Sequence, residues 1–302
     1  MKTIDGNTVI YSFKPEMPFI EKVQLGETFK IKTNDCFLGQ IKSEADVFEN
    51  IDHDQLNPAT GPIFIEGAQE GDLLKVEIID IKLNSQGVTL LIPGEGVLGD
   101  QVKTPATRVI PIANGCAQFR ELSLPIRPMI GVIGVAPAAA DGECPTDTPW
   151  KHGGNMDTAD ITAGTKLFLP VKQEGALFAL GDCHALMGEG EVCVTGCEIG
   201  AEVMLKMDVI KAKDITWPLL ETDEHTMVIV SGDTLEDAVK TATDQAVIHL
   251  QNGLGVSWED AYMLASLVVD FRISQVVNPT KTVRAVIPKS LLQTEHLIKA
   301  IK

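Results

Sequence analysis

Between Val23 and Leu220 the chain strings short apolar runs between Gly, Pro, Asn and Asp: "ETFKIKT", "GPIFIEG", "LLKVEIIDIKL", "GVTLLIPGEG", "LSLPIRPMIGVIGVAP", "KLFLPVKQEGALFALGDCH" and "VCVTGCEIGAEVMLKMDVI". Leu74, Val76 and Ile78 occupy alternate positions, which places them on one face of an extended chain. Val, Ile, Phe and Thr fill the runs and turn residues bound them, so the pattern predicts strands of a sandwich or barrel. Helical spacing is scarce before residue 230. Beyond it, "SGDTLEDAVKTATDQAVIHLQNGLG" predicts a helix opened by a capping box at Asp233 and Glu236 and stopped at Asn252-Gly253. A second helix is expected from Ser257, with Asp260 three residues on, to Leu267. "ISQVVN" and "VRAVIP" read as strands, with a short helix after Pro288. The expected architecture is mainly β: a sandwich- or barrel-like large part over 1–225 and a smaller α+β C-terminal part over 226–302, without internal repeats.

Composition narrows the function classes. With 44% hydrophobic and 22% charged residues, the 302-residue chain can bury a sizeable core. A formal charge of -17 and the lack of any basic run argue against nucleic acid or an anionic membrane as partner. The start, "MKTIDGNTVIYSF", has no signal-peptide apolar region, and the longest apolar stretch, Met129 to Ala140, is shorter than the roughly 20 residues of a spanning helix. A cytoplasmic location is the expectation. Six cysteines without a CxxC pair read as reduced, mostly buried residues.

One apparent nucleotide motif fails on context. Gly94, Gly96 and Gly99 in "PGEGVLGD" have GxGxxG spacing, but "DQVKTPATRVIP" follows, with Pro105 and no helical face to receive a pyrophosphate. There is no GxSxG elbow, HExxH pair or P-loop.

Polar residues concentrate in four places. Asp35 stands in "NDCFLGQI"; His53 leads into an Asn57-Pro58 turn; "PWKHGGNMDTADI" carries His152, Asn155 and Asp157 around a glycine pair; and "GDCHALMGEGE" carries Asp182, His184, Glu189 and Glu191. At i and i+2 of a strand end, Asp182 and His184 share a face, and Gly188 and Gly190 permit a reversal that returns Glu189 or Glu191 to the same pocket. Imidazole with carboxylate suits zinc or a similar ion, whereas an all-oxygen set suits calcium or magnesium. The plainer readings are solvated acidic turns, a turn-capping His53, and an Asx-turn or helix cap at Asp157.

"TNDCFLGQI", "NPATGPIFIEGAQEGDLLKVEI", "HGGNMDT", "LFLPVKQEGALFALGDCHALMGEGEVCVTGCEIGAEVML" and "ISQVVN", in this order, resemble the acetamidase/formamidase family from about residue 30 to residue 290. The resemblance implies amidohydrolases that release ammonia from short aliphatic amides. It also implies a largely β sandwich fold with an additional α/β part, a homo-oligomer (dimer or tetramer) and a bound divalent metal. Where the family's pattern has a small residue between aspartate and histidine, this chain has Cys183.

Amide hydrolysis needs an activated nucleophile, oxyanion stabilisation and a proton for the departing amine. The expected roles are Asp35, Asp182 and His184 holding a zinc-like ion, with Asp157 and His152 as further ligands to it or to a neighbouring ion such as calcium. Glu191 is the expected general base, and Asn155 with the Gly153-Gly154 backbone the donors to the substrate oxygen. Three alternatives stay open: a Cys183 nucleophile, although the nearest lysine is Lys172; hydrolysis of another small C-N bond; and a non-catalytic β protein stabilised by calcium.

Overall fold

The computed structural model describes residues 1–301. Among them are a nine-stranded sheet, an eleven-stranded sheet, a two-stranded sheet and α-helices α1 (Leu235–Leu254), α2 (Trp258–Val268) and α3 (Thr294–Ala300). The mainly β expectation holds. The two large sheets face each other across one core, to which the first contributes Phe29, Val76, Leu205 and Ile229, and the second Ile63, Ile130, Phe178 and Cys183. Burying both inner faces is what the alternating runs are for.

The C-terminal strands extend the first sheet: His225–Gly232 pairs with Leu219–Glu221 on one side and Lys281–Pro288 on the other. Met227 and Ile229 enter the sandwich core, while Val228 and Val230 meet α1 through Ala238, Ala242 and Ala246. A strand covered on both faces must be apolar at every position, which is how "MVIV" reads.

The first helix begins one residue later than the sequence suggests. Thr234, not Asp233, is the N-cap: its hydroxyl accepts from the Asp237 N–H at 3.1 Å and donates to the Asp237 carboxylate. The helix also runs past Asn252-Gly253 to a left-handed Gly255. Its reach is explained by packing, because Leu250 and Leu254 still serve the second core. Ser257 caps α2 as expected, accepting from the Asp260 N–H. No helix among the described residues is long and apolar enough to cross a membrane.

The strand Phe178–His184 lies inside the eleven-stranded sheet, flanked by Met129–Gly134 and by the short strand Glu198–Ile199. Its face pattern changes part-way. Phe178 and Leu180 enter the core, and so does Cys183, an odd number of residues beyond Leu180. Asp182 between them sits at φ 50°, in the left-handed region. That residue resets the alternation, so Cys183 takes the core and Asp182 and His184 leave by the other face. Without the reset, the two polar side chains would point among Phe and Leu.

Candidate active site

The reset aims Asp182 and His184 into a buried group of carboxylates. The His184 Nε2 lies 3.1 Å from Glu198 Oε2, 3.4 Å from Asp182 Oδ1, and 4.0 Å from both Asp157 Oδ1 and Glu191 Oε1. All five side chains are buried. Two sets of atoms fall within 4.8 Å of one another, as metal ligands must: Asp157, His184 and Glu191, and Cys36, Asp182 and Glu198.

Each residue arrives by a definite route. Glu198 stands directly across from His184 in the antiparallel register, and its Oε1 is fixed by the Gly196 N–H at 2.6 Å. Asp157 follows Gly153–Asn155, which pairs with Met129–Gly134. Opposite Asp182 stands Gly131, where a Cβ would come within 2.5 Å of Asp157 Oδ1 and 2.6 Å of Asp182 Oδ2; the absence of a side chain there is what lets two carboxylates meet. Asp157, Asp182 and Glu191 have φ of 39°, 50° and 47°. Left-handed backbone costs a non-glycine residue on the order of 1–3 kcal/mol, and three such residues converging on one spot mark a place where the fold is bent to serve the site.

The C-terminal strands hold the other side. The Asn278 amide donates to Asp157 Oδ2 at 2.7 Å and to the Asn155 carbonyl at 2.9 Å. The Gly190 N–H donates to the Ser274 carbonyl at 2.8 Å, tying the Glu191 loop to the strand Asp270–Gln275. Fully buried Arg284 pairs with Glu189 and with Asp160, and donates to the Ser274 hydroxyl at 3.0 Å.

Of the residues singled out in the sequence, Asp157, Asp182, His184 and Glu191 come together, and the ligand candidates Asp35 and His152 do not join them. Asp35 is half-buried, and its Oδ1 accepts from the Phe37 and Gly39 amides at 2.9 and 3.1 Å, an Asx-type loop closure. The neighbouring Cys36 supplies the group's sulfur instead. His152 is buried 5.0 Å from the Phe13 ring, its pKa pushed down to about 3 by burial. Asn155 is buried with its Oδ1 unpartnered, whereas the Gly153 N–H is taken by the Trp150 carbonyl. His53 is exposed, stacked on Phe48, and bonds its carbonyl. Glu189 turns to Arg284 and leaves the return to Glu191. Cys183 lies in the apolar core with its thiol pushed up to about 12, mainly by burial, which removes thiolate character at neutral pH.

Sequence reasoning missed Cys36, Glu198 and Asn278. The available signals were faint: a lone carboxylate inside the apolar run "VCVTGCEIGAEV", and the polar residues Gln275 and Asn278 bracketing the apolar pair of "QVVN".

The electrostatics are those of a cation site. Burial, followed by the charge of Asp182, raises the Asp157 carboxyl to about 6; burial and then Glu198 do the same for Asp182. Burial and then Asp157 push Glu191 well above the ordinary glutamate range. Burial opposes charge on His184, yet Glu198 and Asp182 outweigh it and hold the imidazolium well above its usual value. Asp157 Oδ1, Asp182 Oδ1, Glu198 Oε2 and His184 Nε2 have no hydrogen-bond partner. Buried polar atoms rarely go unpaired, and four carboxylates around one imidazole carry more negative charge than it can balance. A divalent ion would satisfy both demands, so the residues present fit one.

These shifts predict how metal-free protein responds to pH. Asp157 and Asp182 titrate at about 6 when folded, against 3.8 ordinarily, so between those values the folded state keeps protons that the unfolded state gives up. Stability therefore falls as pH rises through that window. His184, raised when folded, acts in the same direction: its contribution is complete below its ordinary value of 6.5 and is lost as pH climbs through the raised one. A tenfold change in proton affinity is worth about 1.4 kcal/mol, so the groups together contribute on the order of a few kcal/mol. Chelated protein is expected to melt about 5 °C higher at pH 5 than at pH 8. That slope should shrink in Asp157→Asn/Asp182→Asn protein; an equal slope would place its origin elsewhere.

Glu191 also lines a 300 Å³ cleft with Ile110, Phe119, Leu186, Met187 and Val192 among its walls, so the group communicates with space for a small molecule.

Comparison with known proteins agrees in kind. The sequence model of the acetamidase/formamidase family matches residues 3–141 and 138–294. The crystal structure of an acetamidase from Bacillus halodurans is 42% identical, with a TM-score of 0.93, covering 96% of this chain and 99% of that one. A recombinant predicted acetamidase/formamidase from the thermophile Thermoanaerobacter tengcongensis is 41% identical, with a TM-score of 0.94 and 98% of both chains covered. A formamidase of Methylophilus methylotrophus is 27% identical over 256 residues, 65% of this chain and 63% of its own length. The match thus spans slightly less than two thirds of that curated relative.

Proposed function

From the premise that the chain belongs to the acetamidase/formamidase family, we propose that it hydrolyses a short aliphatic amide to carboxylate and ammonia with the help of a divalent metal. One observation carries the metal-dependent reading: the His184 Nε2 and three carboxylate oxygens, buried and without hydrogen-bond partners, converge beside the cleft. Asp157, Asp182, His184 and Glu198 would hold the ion, with Cys36 beside Asp182 and Glu198. Imidazole and thiol among the donors favour a zinc-like ion over calcium and speak against a purely structural calcium site. When bound, such an ion supplies charge that polarises an amide carbonyl and acidifies water.

The chain's own groups do the rest. Glu191, at the boundary of the buried group and the cleft, takes a proton from the attacking water and delivers it to the departing nitrogen. The C-N bond breaks, the acyl carbon keeps the water oxygen, and ammonia leaves. A carboxylate held between the attacking water and the departing nitrogen serves both halves of that transfer. Asn155, buried beside Asp157, offers its amide to the substrate oxygen, and Asn278 fixes Asp157 through its second oxygen. The sealed Cys183 supports water over a thiol as nucleophile.

The test is ammonia release from formamide and acetamide by purified protein loaded with zinc. Turnover of either supports the reading; release from neither, and from neither propionamide nor butyramide, removes it.

A further inference from the structure

The cleft beside Glu191 is larger than formamide or acetamide requires. Its volume is 300 Å³. A water's share of the liquid is about 30 Å³, so the space equals about ten waters, of which formamide would displace only a few. Its walls are Ile110, Phe119, Leu186, Met187 and Val192, and Ile110, Phe119 and Leu186 belong to one apolar cluster seated on Ala185 and Ile199. Of the polar side chains among the walls, all but Glu191 and Cys197 are already engaged. The Thr89 and Thr195 hydroxyls bond each other at 2.9 Å, the Cys193 thiol donates to the Leu90 carbonyl at 3.5 Å, and Glu189 is held by Arg284. Burial pushes the Cys197 thiol up to about 12, which leaves Glu191 as the reactive group. The apolar side chains along these walls suit a hydrocarbon chain better than an amide nitrogen.

We infer that this cleft is an acyl subsite, and that the preferred substrate is a primary amide whose apolar acyl chain is longer than acetyl, about three to five carbons. The inference rests on the amide-hydrolysis reading and deepens it. The acyl chain lies along Phe119 and Leu186, which places the carbonyl carbon at Glu191, and the bonds made and broken are those of the hydrolysis above. Phe119, Leu186 and Val192 then set chain length.

The test is kcat/KM for ammonia release from formamide, acetamide, propionamide and butyramide by zinc-loaded protein, in wild type and in Val192→Trp. Val192 is 60% exposed, so a larger side chain there fills the cleft mouth without entering the core. Burying one methylene is worth about a fourfold gain, so butyramide should exceed acetamide by about tenfold or more. In Val192→Trp that ratio should fall towards one. Phe119→Trp, which enlarges another wall residue of the cleft, should act in the same direction. Turnover of formamide and acetamide with no gain along the series, or a ratio untouched by both substitutions, overturns the acyl subsite and leaves the amidase intact. Turnover of no amide in the series removes the amidase reading and the subsite with it.

Discussion

Asp182→Asn is expected to lower kcat/KM for amide hydrolysis by at least about a thousandfold and to strip the protein of tightly bound zinc, and His184→Ala to do the same. The magnitude follows from what is lost. Charge stabilisation by a catalytic ion is worth several kcal/mol, and each 1.36 kcal/mol is a factor of about ten in rate. His184 is the only nitrogen donor in the group, and Asp182 lies 3.4 Å from it with an unpartnered oxygen. Asp182→Asn is the cleaner variant, because it keeps the shape and removes the charge. His184→Ala also removes the one group able to carry positive charge among four buried carboxylates. Full activity and full metal content in both variants would put the site elsewhere in the chain.

Glu191→Gln is expected to separate chemistry from metal binding. Glu191 lies 4.0 Å from His184 and borders the cleft, so the remaining ligands should still hold zinc near one equivalent while kcat falls by about 10² to 10⁴, the usual contribution of a positioned acid-base group. KM should change little. The acid limb of the wild-type pH profile reports a base that must be ionised to accept a proton, and Glu191 is that base. In Glu191→Gln that limb should disappear from the residual rate. A variant that keeps the limb and loses its zinc would make Glu191 a ligand in place of a base.

How much of this could be read in advance varies with range along the chain. The strands were legible because half-buried and fully buried strands impose their own patterns, as in Leu74-Val76-Ile78 and "MVIV". Ser257 was legible because an N-cap is a local arrangement among three or four residues; Thr234 displaced Asp233 because either residue could begin a box, with Asp237 or Glu236 three residues on, and the Thr234 hydroxyl bonds Asp237. Asp182 and His184 were found from their spacing, although the reason that they share a face lies in the left-handed Asp182, which spacing does not reveal. Glu198 was hidden because it reaches His184 through strand pairing. Asn278 was hidden because its partner, Asp157, is 121 residues away. Cys36 and Asp35 show the limit of a one-residue argument: the loop turns the aspartate to its own amides and the thiol towards Glu198.

The most direct measurement is ammonia release from acetamide and butyramide before chelation, after chelation with metal content verified, and after zinc is restored. The account predicts that turnover falls with zinc content and returns with it, at about one zinc per site. Turnover that persists in protein verified to be free of metal would contradict the central claim, and would mean that the buried carboxylates around His184 do their work without a cation.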